Sequence, residues 1–235
     1  MAIKGVLFDK DGTLLDYFET WMPVNRELSL AVADGDEALA QRLLVAIGYD
    51  PEEGLVRSGS VLAAGNPDEF AAAWLPHLPG RSMAELATMI NEIFIEGGRR
   101  YAVAVVGLDN VIAGLKARGL CLGVATSDSA AGARASLSHF DVLDHLDFLA
   151  GFDSGYPPKP DPGLVLGFCA ATGLATDEVA MVGDNLHDLA MGRAARAGLV
   201  VGVLTGTSGR GDLEHHADHV LDSIVELEGL LERLS

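Results

Sequence analysis

Long apolar stretches are missing from this 235-residue chain, where charge interrupts every run that approaches bilayer length. A membrane-spanning helix needs about 20 consecutive apolar residues, so no transmembrane segment is indicated. The opening MAIKGVLFDKDG carries charges where a secretory signal peptide needs a long apolar core, and a cytoplasmic location is expected. Basic residues are scarce, with 16 Lys and Arg against 34 Asp and Glu, a formal charge of -18. Nucleic acid and anionic membranes are approached through basic surface, so neither is an expected partner. There are only 2 cysteines, Cys121 in a strand-like run and Cys169 in a helix-like one. Unclustered, they read as buried free thiols of a reducing compartment rather than as a disulfide or metal site. Aromatic residues are few, at 6%.

What is present is an Ala/Leu/Val-rich composition, 49% hydrophobic with 28 glycines, enough for a sizeable core and many tight loops. Five short apolar runs, at 3–8, 120–125, 148–152, 178–182 and 199–204, are mostly continuous rather than alternating. Continuous runs are expected of strands covered on both faces. Helical patterns at 108–118, 130–140, 162–172 and 186–197 separate the later runs. This alternation predicts an α/β fold built on a doubly wound parallel sheet. The runs lead into Asp9, Thr126, Asp153, Asp184 and Thr205, and ligands of open α/β sheets sit at such carboxyl ends. The tail, 218–234, reads as a short strand and an amphipathic helix.

About a hundred residues separate the first two strands, far more than a crossover helix requires. Their pattern is helical, near 20–33, 36–47, 67–75 and 82–94, with breaks at Gly48, Gly65-Asn66-Pro67 and Pro79-Gly80. The expected organisation is a core of 1–15 and 107–235 with an inserted α-helical domain at 16–106.

Two carboxylates two residues apart, Asp9 and Asp11, end the first strand within GVLFDKDGTLLD. One can attack phosphorus while the other handles the leaving-group proton; a side-chain-capped DG turn is the plainer alternative. Within MVGDNLHDLAMG, Asp184 and Asp188 lie four apart at a strand–helix junction. A helix starting near Asn185 lets both face one point, and hard oxygen ligands of this kind suit Mg²⁺. An N-cap acid and a dipole-stabilised acid would account for the same spacing. His187 could serve as a ligand, but it reads more readily as a partly exposed loop residue. Lys159 is held between prolines in GYPPKPDP, a rigid cation able to offset charge on a phosphoryl group. Asp161, before Pro162, reads as a helix cap. Thr126 and Ser127 offer hydroxyls for phosphate oxygens or, equally, a helix cap.

In order and position these patches resemble the haloacid dehalogenase superfamily of phosphohydrolases, whose pattern is DxDGT, a Thr or Ser, a Lys, then GDxxxD. Here they are Asp9-Lys10-Asp11-Gly12-Thr13, Thr126, Lys159, and Gly183-Asp184 with Asp188. The resemblance implies a Rossmann-like core and a helical cap. It implies Asp9 as nucleophile, forming an aspartyl-phosphate, and Asp11 as acid and then base. Thr126 and Lys159 would hold the phosphoryl oxygens. Mg²⁺ would lie among Asp9, the Asp11 main-chain carbonyl and Asp184, with Asp188 as a further ligand or as a partner of those ligands. KPDP and the TGTSG…ADHVLDSIVEL tail are similar to the phosphoglycolate phosphatase-like branch, which makes a small phosphorylated metabolite the expected partner. Two departures bear on that branch: Ser127 stands where many relatives carry Asn, and Lys10 occupies a position that is often apolar.

Asp11 argues against a 2-haloacid dehalogenase. The four lysines, Lys4, Lys10, Lys116 and Lys159, leave none in the insertion for the Schiff base of a phosphonoacetaldehyde hydrolase. A sugar phosphomutase of the β-phosphoglucomutase type, and a non-catalytic binding protein of the same fold, are the alternatives. Gly12, Thr13, Ser127 and Arg57 are the candidate substrate-binding residues; Arg57 could grip a substrate carboxylate, with Arg99 and Arg100 as other candidates. His215, His216, His219 and Asp218 look like a metal cluster only superficially, since their spacing near an acidic tail suits a solvated surface. Oligomeric state is not legible in the chain.

Overall fold

A computed structural model describes residues 2–234. Strand β1 (Gly5–Phe8) is followed by helices α1 (Tyr17–Val32) and α2 (Glu37–Ile47), then a two-stranded hairpin, β2 (Tyr49–Asp50) and β3 (Leu55–Val56). Helices α3 (Val61–Ala64), α4 (Pro67–Trp74) and α5 (Met83–Tyr101) complete this segment. The chain then alternates through α6 (Leu108–Ala117), β4 (Cys121–Ala125), α7 (Ala130–Leu137), β5 (Phe148–Ala150), α8 (Gly163–Thr172) and β6 (Val179–Gly183). It ends with α9 (Leu186–Ala194), β7 (Leu199–Val203), α10 (Arg210–Leu213), β8 (His219–Leu221) and α11 (Leu227–Leu234).

Six strands form one parallel sheet in the order β5-β4-β1-β6-β7-β8, the doubly wound arrangement predicted from the alternation. The chain leaves β1 in both directions, to β4 on one side and β6 on the other, which makes β1 the switch point where ligands of such sheets bind. Every residue of β1, β6 and β7 is buried, so the continuous apolar runs reflect helices on both faces. One face is filled by Val6, Phe8, Val124, Val182 and Val201 against α6 and α11. The other is filled by Leu7, Met181 and Phe168.

Helices α1, α2, α4 and α5 enclose a separate apolar cluster around Trp21, Leu28, Leu43, Phe70, Trp74 and Phe94. Its aromatics meet edge-on, with Trp21 and Phe94 centroids 5.0 Å apart and Phe70 and Phe94 5.2 Å apart. The two connectors to the sheet run side by side, tied by Asp16 N–H to Val103 O at 2.8 Å and Val105 N–H to Leu14 O at 2.9 Å. Local caps set the helix starts: Asp16 and Asp36 side chains accept from Glu19 and Leu39 N–H, and Asn66 with Glu69 forms a reciprocal capping box.

Helices α5 and α1, the β2–β3 hairpin and α3 differ from the sequence pattern. Helix α5 runs to Tyr101, beyond the predicted end near 94, because Gly97 serves packing rather than termination and Gly98 simply continues the helix. A Cβ at Gly97 would fall 2.7 Å from Val24 Cγ1, so its absence lets α5 lie close on α1. Helix α1 starts at Tyr17, three residues early, behind the Asp16 cap, and tolerates Pro23 inside it. The β2–β3 hairpin and α3 are too short to leave a periodic signal.

Candidate active site

Parallel register sets the first positions. Phe8 lies level with Val124 and Val182, so the next residues, Asp9 and then Thr126 and Asp184, emerge together at the carboxyl edge of the sheet. Asp9 N–H donates to Val182 O at 2.8 Å, which continues the ladder one step past β1. Beyond it the chain folds back sharply: Lys10 O accepts from Leu14 N–H at 2.9 Å and Leu15 N–H at 3.0 Å. Gly12, at the bend, has φ +84, and a Cβ there would meet Asp184 Cγ at 2.6 Å. Asn185 caps α9, and Asp188 Oδ2 accepts from Asn185 N–H at 3.1 Å, closing a capping box. The same box leaves Asp188 Oδ1 turned to the edge of the sheet.

Lys159 Nζ lies 2.6 Å from Asp9 Oδ1 and 2.6 Å from Asp188 Oδ1, with its side chain only 4% exposed. The carboxylates of Asp9, Asp184 and Asp188 place one oxygen each within 4.8 Å of one another, all three buried. Asp184 is held by Thr207, whose N–H donates to Oδ2 at 2.8 Å. Burial, then the neighbouring Asp188, pushes the Asp9 carboxyl up to about 7, against the pull of Lys159. Burial and the charges of Asp9 and Asp188 raise Asp184 well above the carboxylate range. Burial opposes the Lys159 charge, but Asp188 and Asp9 outweigh it and hold its ammonium protonated. With all three carboxylates ionised, one ammonium would leave surplus negative charge, and the donors are all oxygen. A hard divalent cation such as Mg²⁺ fits that set.

A cleft above this edge is lined by Asp9, Asp11, Thr126, Ser127, Asp128, Lys159, Asp184, Asn185, His187 and Asp188 from the sheet side. Tyr17, Trp21, Asn25, Leu62 to Gly65, Phe70 and Phe94 line it from the inserted helices. The candidate residues Asp9, Asp11, Thr126, Ser127, Lys159, Asp184 and Asp188 are thus brought together. His187, read from the sequence as a loop residue, is instead the second residue of α9 and faces the cleft. Gly12 and Thr13 do not line it: Gly12 O accepts from Thr205 Oγ1 at 2.6 Å, and Thr13 is buried beneath the bend. Arg57 also lies elsewhere, its exposed guanidinium 3.3 Å from Asp50 across the hairpin. Arg99 and Arg100 pair on the surface with Glu96 and Glu27. Asp161 Oδ1 accepts from Gly163 N–H at 2.9 Å, a helix-start role. Asp218 pairs with Arg193, and His215 and His216 are exposed. Cys121 and Cys169 are free thiols.

Gly183, from the GDxxxD motif, shapes the site, and so do three residues that the sequence reading gave no role, Gly206, Thr207 and Asp128. A Cβ at Gly183 would fall 2.3 Å from Asp188 Cβ, and one at Gly206 would fall 1.8 Å from Asp184 Oδ2. Thr207 and Asp128 supply the contacts described above and below. Only the run TGTSG marks two of them, and it carries no charge to draw notice.

Fold and site together define a class: a doubly wound α/β enzyme with clustered, buried carboxylates and a buried lysine at the carboxyl edge of its sheet. The model of the haloacid dehalogenase-like hydrolases matches residues 3–196, and the chain belongs to that family. It is similar to the protein named "Probable phosphatase IndB" of Dickeya dadantii, with 30% identity over 208 residues, 86% of this chain and 81% of that one. It is similar to a phosphoglycolate phosphatase of Nitrosospira multiformis, with 26% identity over 235 residues, 100% of this chain and 98% of that one. The crystal structure of a hydrolase from Pseudomonas syringae shares the fold at TM-score 0.73 and 21% identity, over 99% of each chain. No helix among the described residues is long and apolar enough to cross a membrane.

Proposed function

We propose that the chain is a Mg²⁺-dependent phosphatase that hydrolyses a small phosphomonoester through an aspartyl-phosphate on Asp9. The observation that carries this reading is Lys159 Nζ lodged 2.6 Å from both Asp9 and Asp188, beside Asp184, at the end of β1. Asp9, Asp184 and Asp188 would hold the ion, with the main-chain carbonyl of Asp11 as the further oxygen. When bound, Mg²⁺ supplies positive charge beside the phosphoryl oxygens.

In this reading an Asp9 carboxylate oxygen attacks phosphorus, and the bond from phosphorus to the leaving oxygen breaks. That oxygen keeps the electron pair and takes a proton from Asp11. Lys159 and the Thr126 hydroxyl hold the phosphoryl oxygens during transfer. Water then attacks the phosphorus of the aspartyl-phosphate as Asp11 takes its proton. The bond to Asp9 breaks, inorganic phosphate leaves, and both side chains are restored. The helical segment 16–106 acts as a cap that limits water at the phosphoryl centre.

Relatives named phosphoglycolate phosphatase support a small metabolite as substrate. Arg57 gives a carboxylate-bearing substrate no anchor, because it lies outside the cleft and is engaged by Asp50. The substrate panel therefore spans phosphoglycolate, sugar phosphates and aryl phosphates. Phosphate release is measured with Mg²⁺ and with EDTA, for the wild type and for Asp9→Asn. Release that needs Mg²⁺ and disappears in Asp9→Asn is expected. Equal release from the variant would end the aspartyl-phosphate reading.

A further inference from the structure

Lys10, the residue between the two aspartates of the first motif, is completely buried. A lysine is seldom buried to that degree without a partner of opposite charge. Its Nζ lies 2.8 Å from Asp11 Oδ1, 3.2 Å from Asp128 Oδ2 and 4.9 Å from the centre of the Trp21 ring. An ammonium has three protons, and here three groups surround it: a hydrogen-bonded carboxylate, an ion-paired one, and an aromatic face. Burial alone would depress the charge on Lys10, but Asp11 and Asp128 outweigh it.

Asp128 is placed with equal care. It is 5% exposed, its Oδ1 accepts from Ser129 N–H at 2.7 Å, and its own N–H donates to Thr126 Oγ1 at 3.1 Å. A Cβ at Gly132 would fall 2.4 Å from Asp128 Oδ1, so that glycine makes the space the carboxylate occupies. The charged groups of the cleft therefore fall into two sets. Lys159 serves Asp9 and Asp188, and Lys10 serves Asp11 and Asp128.

We propose that Lys10 is the positioning residue for the proton-transferring carboxylate. It fixes Asp11 by one oxygen, Oδ1, and leaves Oδ2, which receives no hydrogen bond from any described residue, to meet the leaving group. Trp21, on the first inserted helix, covers the same ammonium, so the seat of Asp11 is completed by the segment that closes the cleft. The proposal rests on the reading of Asp11 as the acid that protonates the leaving oxygen.

The test compares kcat/KM for phenyl phosphate and p-nitrophenyl phosphate, with Mg²⁺ present. The two substrates match closely in shape, but phenolate needs protonation on departure far more than nitrophenolate does. kcat/KM reports the steps up to loss of that leaving group. Lys10→Met leaves Asp128 buried without a counter-charge and can fail to fold, so it is made together with Asp128→Asn, which removes both charges. The ratio of the two kcat/KM values cancels the concentration of folded enzyme, so partial unfolding does not alter it. A positioned general acid is worth about 10²–10⁴-fold. The double variant is therefore expected to lose at least about 10-fold more on phenyl phosphate than on the nitrophenyl ester. Asp11→Asn should show the same bias. A biased Asp11→Asn with an unbiased double variant overturns the role of Lys10. An unbiased Asp11→Asn overturns the acid assignment itself, and the Lys10 proposal with it.

Discussion

Lys159 is a side chain that serves the fold and, in the proposed reaction, the chemistry. Its ammonium is the only described cation in contact with Asp9 and Asp188, and all three groups are buried. Removing one partner of a buried ion pair leaves uncompensated charge, at a cost of about 3–5 kcal/mol. Lys159→Met should therefore melt well below the wild type in EDTA. Mg²⁺ among the same carboxylates would replace part of the lost positive charge, so the gap between variant and wild type should narrow when it is added. Turnover should stay low in either condition, because the cation proposed to face the phosphoryl group is gone. Thermal melts with and without Mg²⁺, beside phosphate release, separate the two effects. A gap that Mg²⁺ does not narrow would argue against an ion site at these residues.

At the scale of elements, the contact between α5 and its neighbours turns on adjacent glycines that look alike in sequence. A Cβ at Gly97 would press on both methyls of Val24, at 2.7 and 2.8 Å, and Val24 is wholly buried. At Gly98 the nearest atom is Ser136 Cβ at 3.5 Å, an ordinary contact. Alanine gains about 1 kcal/mol over glycine in a helix interior, whereas overpacking a core costs about 1–3 kcal/mol. Gly97→Ala is thus expected to destabilise the protein and Gly98→Ala to stabilise it. For a chain of this size, each kcal/mol should move the melting temperature by about 2–4 °C. Melts that shift in the same direction for both would contradict the packing described. The element scale is also where the sequence pattern was least complete. The helical pattern near 82–94 does not show that the helix continues through Gly97 and Gly98 to Tyr101, because propensity is local and the close approach of α1 at Gly97 is not. The β2–β3 hairpin and α3 are stabilised by their neighbours and carry no period of their own.

For the whole molecule, the proposed metal and pH should be linked through the carboxylates at the edge of the sheet. Without a metal, the folded chain holds the Asp9 proton up to about pH 7, whereas an unfolded aspartate releases it near 3.8. A carboxyl raised in this way favours the folded state at low pH, and that contribution is lost as pH rises through about 7. Asp184 shifts in the same direction. Mg²⁺ bound there, as proposed, would favour the ionised forms and offset the repulsion among them, so its stabilising effect should grow with pH. The rise in melting temperature on adding Mg²⁺ is expected to be larger at pH 8 than at pH 5.5, and smaller at pH 8 in Asp9→Asn. An equal rise at both pH values would separate the ion from these carboxylates.

Strand–helix alternation, apolar runs and the order of Asp9, Asp11, Thr126, Lys159, Asp184 and Asp188 were legible along the chain. Each of these is a local pattern: a period, a strand end, or a polar residue where a buried run stops. Tertiary structure alone decided which of those polar groups meet. It brought Lys159 onto Asp9 across 150 positions of sequence, and it placed Lys10 under Trp21 and against Asp128. It also turned Arg57 toward Asp50 and away from the cleft. Sequence spacing records where a side chain leaves the backbone, whereas the partner of a buried charge is chosen by packing and by the cost of leaving that charge unpaired.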